Sequence, residues 1–286
     1  ANNWLVGNRS DSQLTFNGVI DQVRVFDYVR TPAQIAWDYN HGSPLAYWKM
    51  DECQGTTIND SAGNSLTGTL TLGAGAITSA GDCTTSATTS WYGGRVGKIN
   101  YDVNFDGDDD YVNVADNSIL DFNDADFTLS GWFYRDTFTT DDTVIAKRNG
   151  IASTDTGYIV YVDDSDDKLY FEVSDGTDEY QLASTTSFTS TGWNHFVIVW
   201  DDDSAASSEI YINGRDDDAT DTGTIGNIGD LSNAVALRLG AESDDGNPYD
   251  GQIDEVKVFN YALTSIQAQT LYNGGAVRFG PVTGAP

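Results

Sequence analysis

The sequence predicts an all-β fold: two antiparallel sheets packed as a sandwich, with a short terminal helix and, ahead of it, the tail of an upstream copy. Three observations carry that expectation. About a dozen short runs alternate apolar and polar residues with period two, punctuated by Gly, Asn and Asp. Helical patterning is confined to two brief stretches. A segment near the start also returns near the end. Leu5 to Gly42 aligns without a gap on Arg238 to Gly275, with about fifteen identities. The match is densest between Gly18-Val-Ile-Asp-Gln-Val-Arg-Val-Phe-Asp-Tyr28 and Gly251-Gln-Ile-Asp-Glu-Val-Lys-Val-Phe-Asn-Tyr261.

Self-similarity at a constant offset marks a tandem array, and the first copy has no front half. Residues 1–43 therefore read as the closing strands and helix of an upstream copy. Residues 44–275 read as a complete domain, and 276–286 as an extended linker or tail. With no initiator Met or signal peptide ahead of Ala1, the chain reads as a mature or excised segment.

Within the complete domain the first strand is expected over 46–50, where Ala46, Trp48 and Met50 alternate with Tyr47 and Lys49. Further alternating runs follow over 66–72, 98–105, 111–114 and 127–134. Others lie at 143–147, 158–162, 169–173 and 180–183. The run Asn194-His-Phe-Val-Ile-Val-Trp200 is almost continuously apolar, as expected of a central strand covered on both faces. Asn213-Gly214 after Ile210-Tyr-Ile is a hairpin turn signal. The last runs are expected over 234–239 and 253–259. Thr31-Pro32 and Thr264 each open a helix, because a Thr N-cap and a Pro at the first turn suit orphaned amides.

Charge narrows the partners. Fourteen Lys and Arg against 44 Asp and Glu give a formal charge of −30. Phosphate binding needs clustered cations, so nucleic acid is excluded as an unassisted partner. No stretch approaches the roughly 18 apolar residues of a membrane span, which excludes helical membrane insertion as an expectation. The two cysteines, Cys53 and Cys83, have no His/Cys cluster beside them for zinc. A disulfide is the simplest assignment, against two buried thiols, and would place the protein outside the cytoplasm, extracellular or at a cell surface.

Four blocks in order resemble the laminin-G-like branch of the concanavalin A-like lectin/glucanase superfamily. They are Tyr47-Trp-Lys-Met-Asp-Glu52 with Asp60-Ser-Ala-Gly-Asn64, and Asn104-Phe-Asp-Gly-Asp-Asp-Asp-Tyr-Val112 with Phe127-Thr-Leu-Ser-Gly-Trp-Phe133. Gly192-Trp-Asn-His-Phe-Val-Ile-Val-Trp200 with Ile210-Tyr-Ile-Asn-Gly214 comes third, and the repeated block 251–261 closes the set. The resemblance implies a jelly roll that binds glycans or proteins, often with a structural calcium. It implies calcium ligands among Asp254, Asp60, Asn64 and the acidic turn Asp106, Asp108 and Asp110. Asp254 interrupts an apolar alternation and recurs as Asp21 in the first copy.

Sugar rings stack on exposed aromatic faces. Trp91, Tyr92 and Tyr249, with the rim acids Asp244 and Asp245, are therefore the expected ligand-binding residues, whereas Trp48, Trp132, Trp193 and Trp200 are expected in the core. Glucanase relatives use two closely spaced glutamates on one strand. The six glutamates here form no Glu-x-Asp-x-x-Glu arrangement, and neighbours Asp254 and Glu255 would point to opposite faces of a regular strand. His195 reads as a satisfied structural imidazole. The expectation is no enzyme.

Two function classes remain. One is a non-catalytic extracellular adhesion or binding module, calcium-stabilised, contacting a glycan or protein surface as one repeat of an array. The other is a structural filament or surface-layer subunit, whose partners are other copies of itself reached by strand complementation through residues 1–42.

Overall fold

The computed structural model describes residues 5–7, 16–21, 23–31, 34–35, 39, 42–84, 88–91 and 97–274. Sixteen strands and one helix are numbered here in chain order. They run β1 (Ala46–Trp48), β2 (Thr57–Ile58), β3 (Gly68–Thr71), β4 (Val103–Asp106), β5 (Tyr111–Val114), β6 (Phe127–Arg135), β7 (Asp142–Lys147) and β8 (Gly157–Val162). The second half comprises β9 (Lys168–Ser174), β10 (Glu179–Ser187), β11 (Asn194–Trp200), β12 (Glu209–Ile212), β13 (Arg215–Asp216), β14 (Asp218–Thr222), β15 (Leu237–Leu239) and β16 (Asp250–Phe259), then helix α1 (Ser265–Tyr272).

They form two antiparallel sheets. A seven-stranded sheet runs β1-β16-β6-β11-β12-β13, with β4 also paired to β16; a nine-stranded sheet runs β14-β10-β9-β8-β7-β15-β5-β3-β2. Alternation decides what lies between them. Phe127, Leu129 and Phe133 of β6 and Phe196, Ile198 and Trp200 of β11 enter the shared core with Trp48 and Trp91. The opposite parity of β11, Val197 and Val199, packs under Phe259, Tyr261 and Ala268 where α1 covers the outer face. Thr264 caps that helix by accepting from the Gln267 amide, and the Gln267 side chain bonds back to the Thr264 amide. So β11 is central and covered on both faces. Asn213 and Gly214 hold φ of 51° and 74° in the tight turn between β12 and β13.

Cys53 and Cys83 form a disulfide with a Cα–Cα distance of 5.0 Å, tying the segment after β1 to the loop before Trp91.

The structure adds strands at 57–58, 215–216 and 218–222 that alternation did not mark, and three expected strand segments differ. Residues 97–102 stay out of strand β4, because Ile99 N donates to Asp254 and Tyr101 N to Asp51 instead of to a ladder. Residues 234–236 likewise precede β15 rather than belong to it. Residues 18–28 copy the sequence of β16, yet their described members form no strand; Val19, Val23 and Val25 are 92%, 56% and 67% exposed. β16 is a strand because β1, β4 and β6 flank it, and among the described residues no strand flanks residues 18–28.

Candidate functional site

The outer face of the seven-stranded sheet is where chemistry gathers. Trp132 on β6 pairs in register with His195 on β11 and with Asp254 on β16, so the three side chains share that face. Trp193 precedes β11 with the parity of His195. The His195 ring lies 4.8 Å from Trp132 and 5.8 Å from Tyr272 at the end of α1, centroid to centroid. Lys98 Nζ sits 4.3 Å from the centre of the Trp132 ring, a cation–π distance. Trp193 meets Tyr134 edge to face at 5.8 Å.

A cavity of about 570 Å³ opens here between Trp193, Tyr272 and the β12–β13 turn, lined also by Lys98, Asn213, Arg215, Asp216 and Asp217. A second, of about 340 Å³, lies on the other side of Trp132 and is lined by Tyr47, Lys49, Asp51, Ile99, Glu255 and Lys257. Trp132 is the wall they share. It is 4% exposed, whereas Trp193 and Tyr272 keep part of their rings open. Among the described residues Lys98 and Arg215 make no ion pair, and both line the larger cavity together with the acids Asp216 and Asp217. Gly214 belongs to this arrangement for two reasons. Its φ is positive, and a Cβ there would fall 2.8 Å from the Tyr272 ring.

His195 forms part of the floor. It is 2% exposed, its Nε2 lies 3.3 Å from Ser130 Oγ, and its Nδ1 has no hydrogen-bond partner, so the imidazole is only half satisfied. Burial, with Lys257 and Lys98 nearby, pushes its pKa down to about 3.

The expected stacking residues lie elsewhere. Trp91 is 1% exposed and its indole donates to Gly55 O, while Tyr249 is fully buried edge-on to Phe105. Neither presents a face to a ligand, because both fill the core between the sheets. Tyr92 falls outside the described residues. Asp244 and Asp245 are exposed at the rim; Asp245 pairs with Arg238, and Asp244 accepts from the Gly246 amide. Behind them Glu242 is buried and its pKa is pushed up to about 7, chiefly by desolvation.

The metal candidates separate into distinct places. Asp60 accepts from four backbone amides, those of Tyr47, Ala62, Asn64 and Leu66, and Asn64 donates to Leu45 O. Both are engaged in building the 60–66 loop. Asp254 is fully buried; its Oδ2 accepts from Ile99 N and its Oδ1 has no partner. Desolvation, reinforced by Glu255, Asp102 and Asp51, raises its pKa to about 8. Among the described residues, three carboxylates converge within 4.8 Å at Asp106, Asp109 and Asp110, and again at Asp141, Asp163 and Asp164. Asp109 rather than the exposed Asp108 completes the first group.

One expectation about β16 is corrected. Asp254 and Glu255 do not point to opposite faces. The register shifts between Asp254 and Lys257, and Glu255 holds φ of 56°, which is a β-bulge. Two residues then stand between the inward Ile253 and Val256, and both acids turn outward. Glu255 accepts from the Tyr47 hydroxyl and pairs with Lys257 at 2.9 Å.

Sequence reasoning placed Trp132 and Trp193 in the core; Trp132 is buried as expected, but on the outer face of its sheet beside Tyr272, and Trp193 is only partly buried. The signal was present in the parity of each run: Trp132 alternates in phase with Thr128 and Ser130, and Trp193 with His195, whereas Phe127, Leu129 and Phe133 keep the inward phase.

Comparison with known proteins agrees with this architecture. The family model described as concanavalin A-like lectin/glucanases superfamily matches residues 106–269. The binding domain of Paraclostridial Mosquitocidal Protein 1 superposes with a TM-score of 0.57 at 16% identity, over 82% of this chain and 53% of that one. The botulinum neurotoxin serotype D ligand binding domain in complex with N-acetylneuraminic acid gives 0.57 at 14% identity, over 84% and 52%. The botulinum neurotoxin serotype G binding domain gives 0.56 at 12%, over 81% and 51%. At such identities the likeness is one of fold, and the chain spans about half the length of these structures. No curated protein sequence matches the chain.

Proposed function

The chain belongs to the concanavalin A-like lectin/glucanases superfamily, and from that membership we propose that it is a non-catalytic, extracellular binding module that takes a glycan in the cavity between Trp193 and Tyr272. The composition of that cavity carries the reading: partly open aromatic rings beside Asn213, Arg215, Asp216 and Lys98. Sugar rings offer apolar C–H faces that pack on aromatic rings, and their hydroxyls need directed donors and acceptors. The N-acetylneuraminic acid complex of the serotype D domain supports a sugar over other small ligands. The disulfide supports an oxidising, extracellular setting. Among the described residues no helix is long and apolar enough to cross a membrane.

The test is a glycan array followed by titration of the strongest binder. Trp193→Ala is expected to weaken binding about tenfold or more, as for truncation of a buried aromatic anchor. Asp244→Ala, on the rim, is expected to leave affinity unchanged. Undiminished binding by Trp193→Ala, or no glycan retained from the array, overturns the reading.

One observation favours a second reading, in which the described part of residues 5–42 packs against another sandwich as one unit of a tandem array or filament. Val19, Val23 and Val25 are exposed, whereas their counterparts in β16, Gln252, Val256 and Val258, are fully buried. A β16-like segment gains its burial only beside strands equivalent to β1 and β6. Sedimentation of the chain with and without residues 1–42 checks this: self-association that disappears with the segment supports it, and identical monomeric behaviour removes it.

A further inference from the structure

Resting on the glycan reading of the Trp193 cavity, we propose that the sugar taken there carries an acidic group, a carboxylate or a sulfate, received by Lys98 and Arg215. The hydrogen-bonding capacity of the lining side chains carries this first. Asn213 is engaged at both ends of its amide: Oδ1 accepts from His195 N at 3.0 Å and Nδ2 donates to Asn194 Oδ1 at 3.1 Å. Asp217 is engaged at both oxygens, by the Thr186 amide at 3.1 Å and the Thr186 hydroxyl at 3.0 Å. Asp216 is hydrogen-bonded to Asp218 and also lines a separate cavity beside Thr264. By contrast, among the described residues the side-chain N–H groups of Lys98, Arg215 and Trp193 have no hydrogen-bond partner. All three are donors only. What this lining leaves unmet is an acceptor, and an anionic oxygen is the strongest acceptor that a sugar can offer.

The distribution of cations is a separate observation. Among the described residues Arg135, Lys147, Arg148, Lys168, Arg238 and Lys257 all sit in ion pairs. Arg24 and Arg30, in the N-terminal segment, are engaged as well. Lys49, Lys98 and Arg215 form no ion pair, and all three border the two cavities that share Trp132 as a wall. With 44 acidic residues against 14 basic ones, a cation in this chain finds a partner readily. Three without one on a single face mark a place kept for an anion from outside. The cation–π contact steadies Lys98 Nζ over Trp132 without using its hydrogen bonds. Arg215 follows the Asn213-Gly214 turn, whose close packing on Tyr272 fixes where β13 begins. A guanidinium meets a carboxylate or sulfate with two parallel donors, while the partly open Trp193 and Tyr272 rings take the apolar face of the sugar.

The glycan array tests this by class: the glycans that wild type retains are expected to carry a carboxylate or a sulfate. Removing that group from the strongest binder, by carboxyl reduction or by desulfation, should weaken binding about tenfold or more, as for loss of a charge-assisted hydrogen bond. Which treatment acts tells carboxylate from sulfate. Lys98→Gln and Arg215→Gln remove charge at exposed positions, so the fold is retained. Each should weaken binding of the acidic glycan about tenfold and leave affinity for its neutral form within about twofold. Added salt should weaken the wild-type complex with the acidic glycan. An array that retains only neutral glycans, or equal affinity for the acidic and neutral forms, overturns the proposal and leaves the glycan reading standing. An acidic preference that survives in the Lys98→Gln/Arg215→Gln double variant overturns it as well. An array that retains nothing overturns both.

Discussion

The imidazole of His195 packs beside Trp132 and Tyr272 with two lysines nearby, so its neutral form is what the fold accommodates. Its folded pKa of about 3 lies below the usual 6.5 of the unfolded chain. The stability this contributes is therefore fully present above about pH 6.5 and lost as pH falls toward 3. Relative to His195→Phe, wild type should lose about 2 kcal/mol between neutral pH and about pH 5. Chemical denaturation of both proteins across that range measures it, and a pH-independent difference would refute the assignment. Taking the difference matters, because the buried acids push the other way: Asp254, raised to about 8, favours the folded state on acidification. The residue scale is also where the sequence was least legible. Trp91 and Trp193 both sit in Gly-flanked aromatic segments, yet one is core and the other borders a cavity.

At the scale of elements, two irregularities give the outer face its chemistry. The bulge at Asp254 and Glu255 turns two acids to one side of β16, and the Asn213-Gly214 turn presses on Tyr272. The turn was legible from its Asn-Gly pair, whereas the bulge could not be placed, since a bulge breaks the very period that locates a strand. The disulfide, by contrast, was legible from composition. It spans 30 residues and anchors the loop that carries Trp91 into the core. Replacing both Cys53 and Cys83 with Ala should lower stability by about 3–4 kcal/mol in the chain-entropy model. Urea unfolding of the double variant checks that figure. A loss under about 1 kcal/mol would mean that the 53–83 loop is already ordered in the unfolded ensemble.

For the whole molecule, every strand among the described residues lies between Ala46 and Phe259, and the two sheets they form hold no strand from the described part of the first 42 residues. Deleting residues 1–42 should leave a single cooperative thermal transition, with its midpoint shifted by no more than about 2 °C. Calorimetry decides this. A broad or strongly lowered transition would show that the N-terminal segment is part of the same cooperative unit. The charge of −30 also acts at this scale: in so acidic a chain, Lys98 and Arg215 beside one aromatic cavity offset the acids Asp216 and Asp217 that line it, leaving it less negative than the remainder.

The amino-acid order by itself determined the two-sheet class, the positions of most strands, the terminal helix with its Thr264 cap, the disulfide pair and the internal repeat. These features rest on local chemistry: period-two alternation, turn residues and capping all act within a few positions of the chain. Tertiary structure alone decided which acids meet and which rings stay open. Asp110 and Asp109 accept from the Gly73 and Ala74 amides some 36 residues away, and Trp193 borders a cavity with Tyr272 on a helix far along the chain. Parity tells a side chain which face of its sheet to occupy. It does not tell which loop or helix will cover that face.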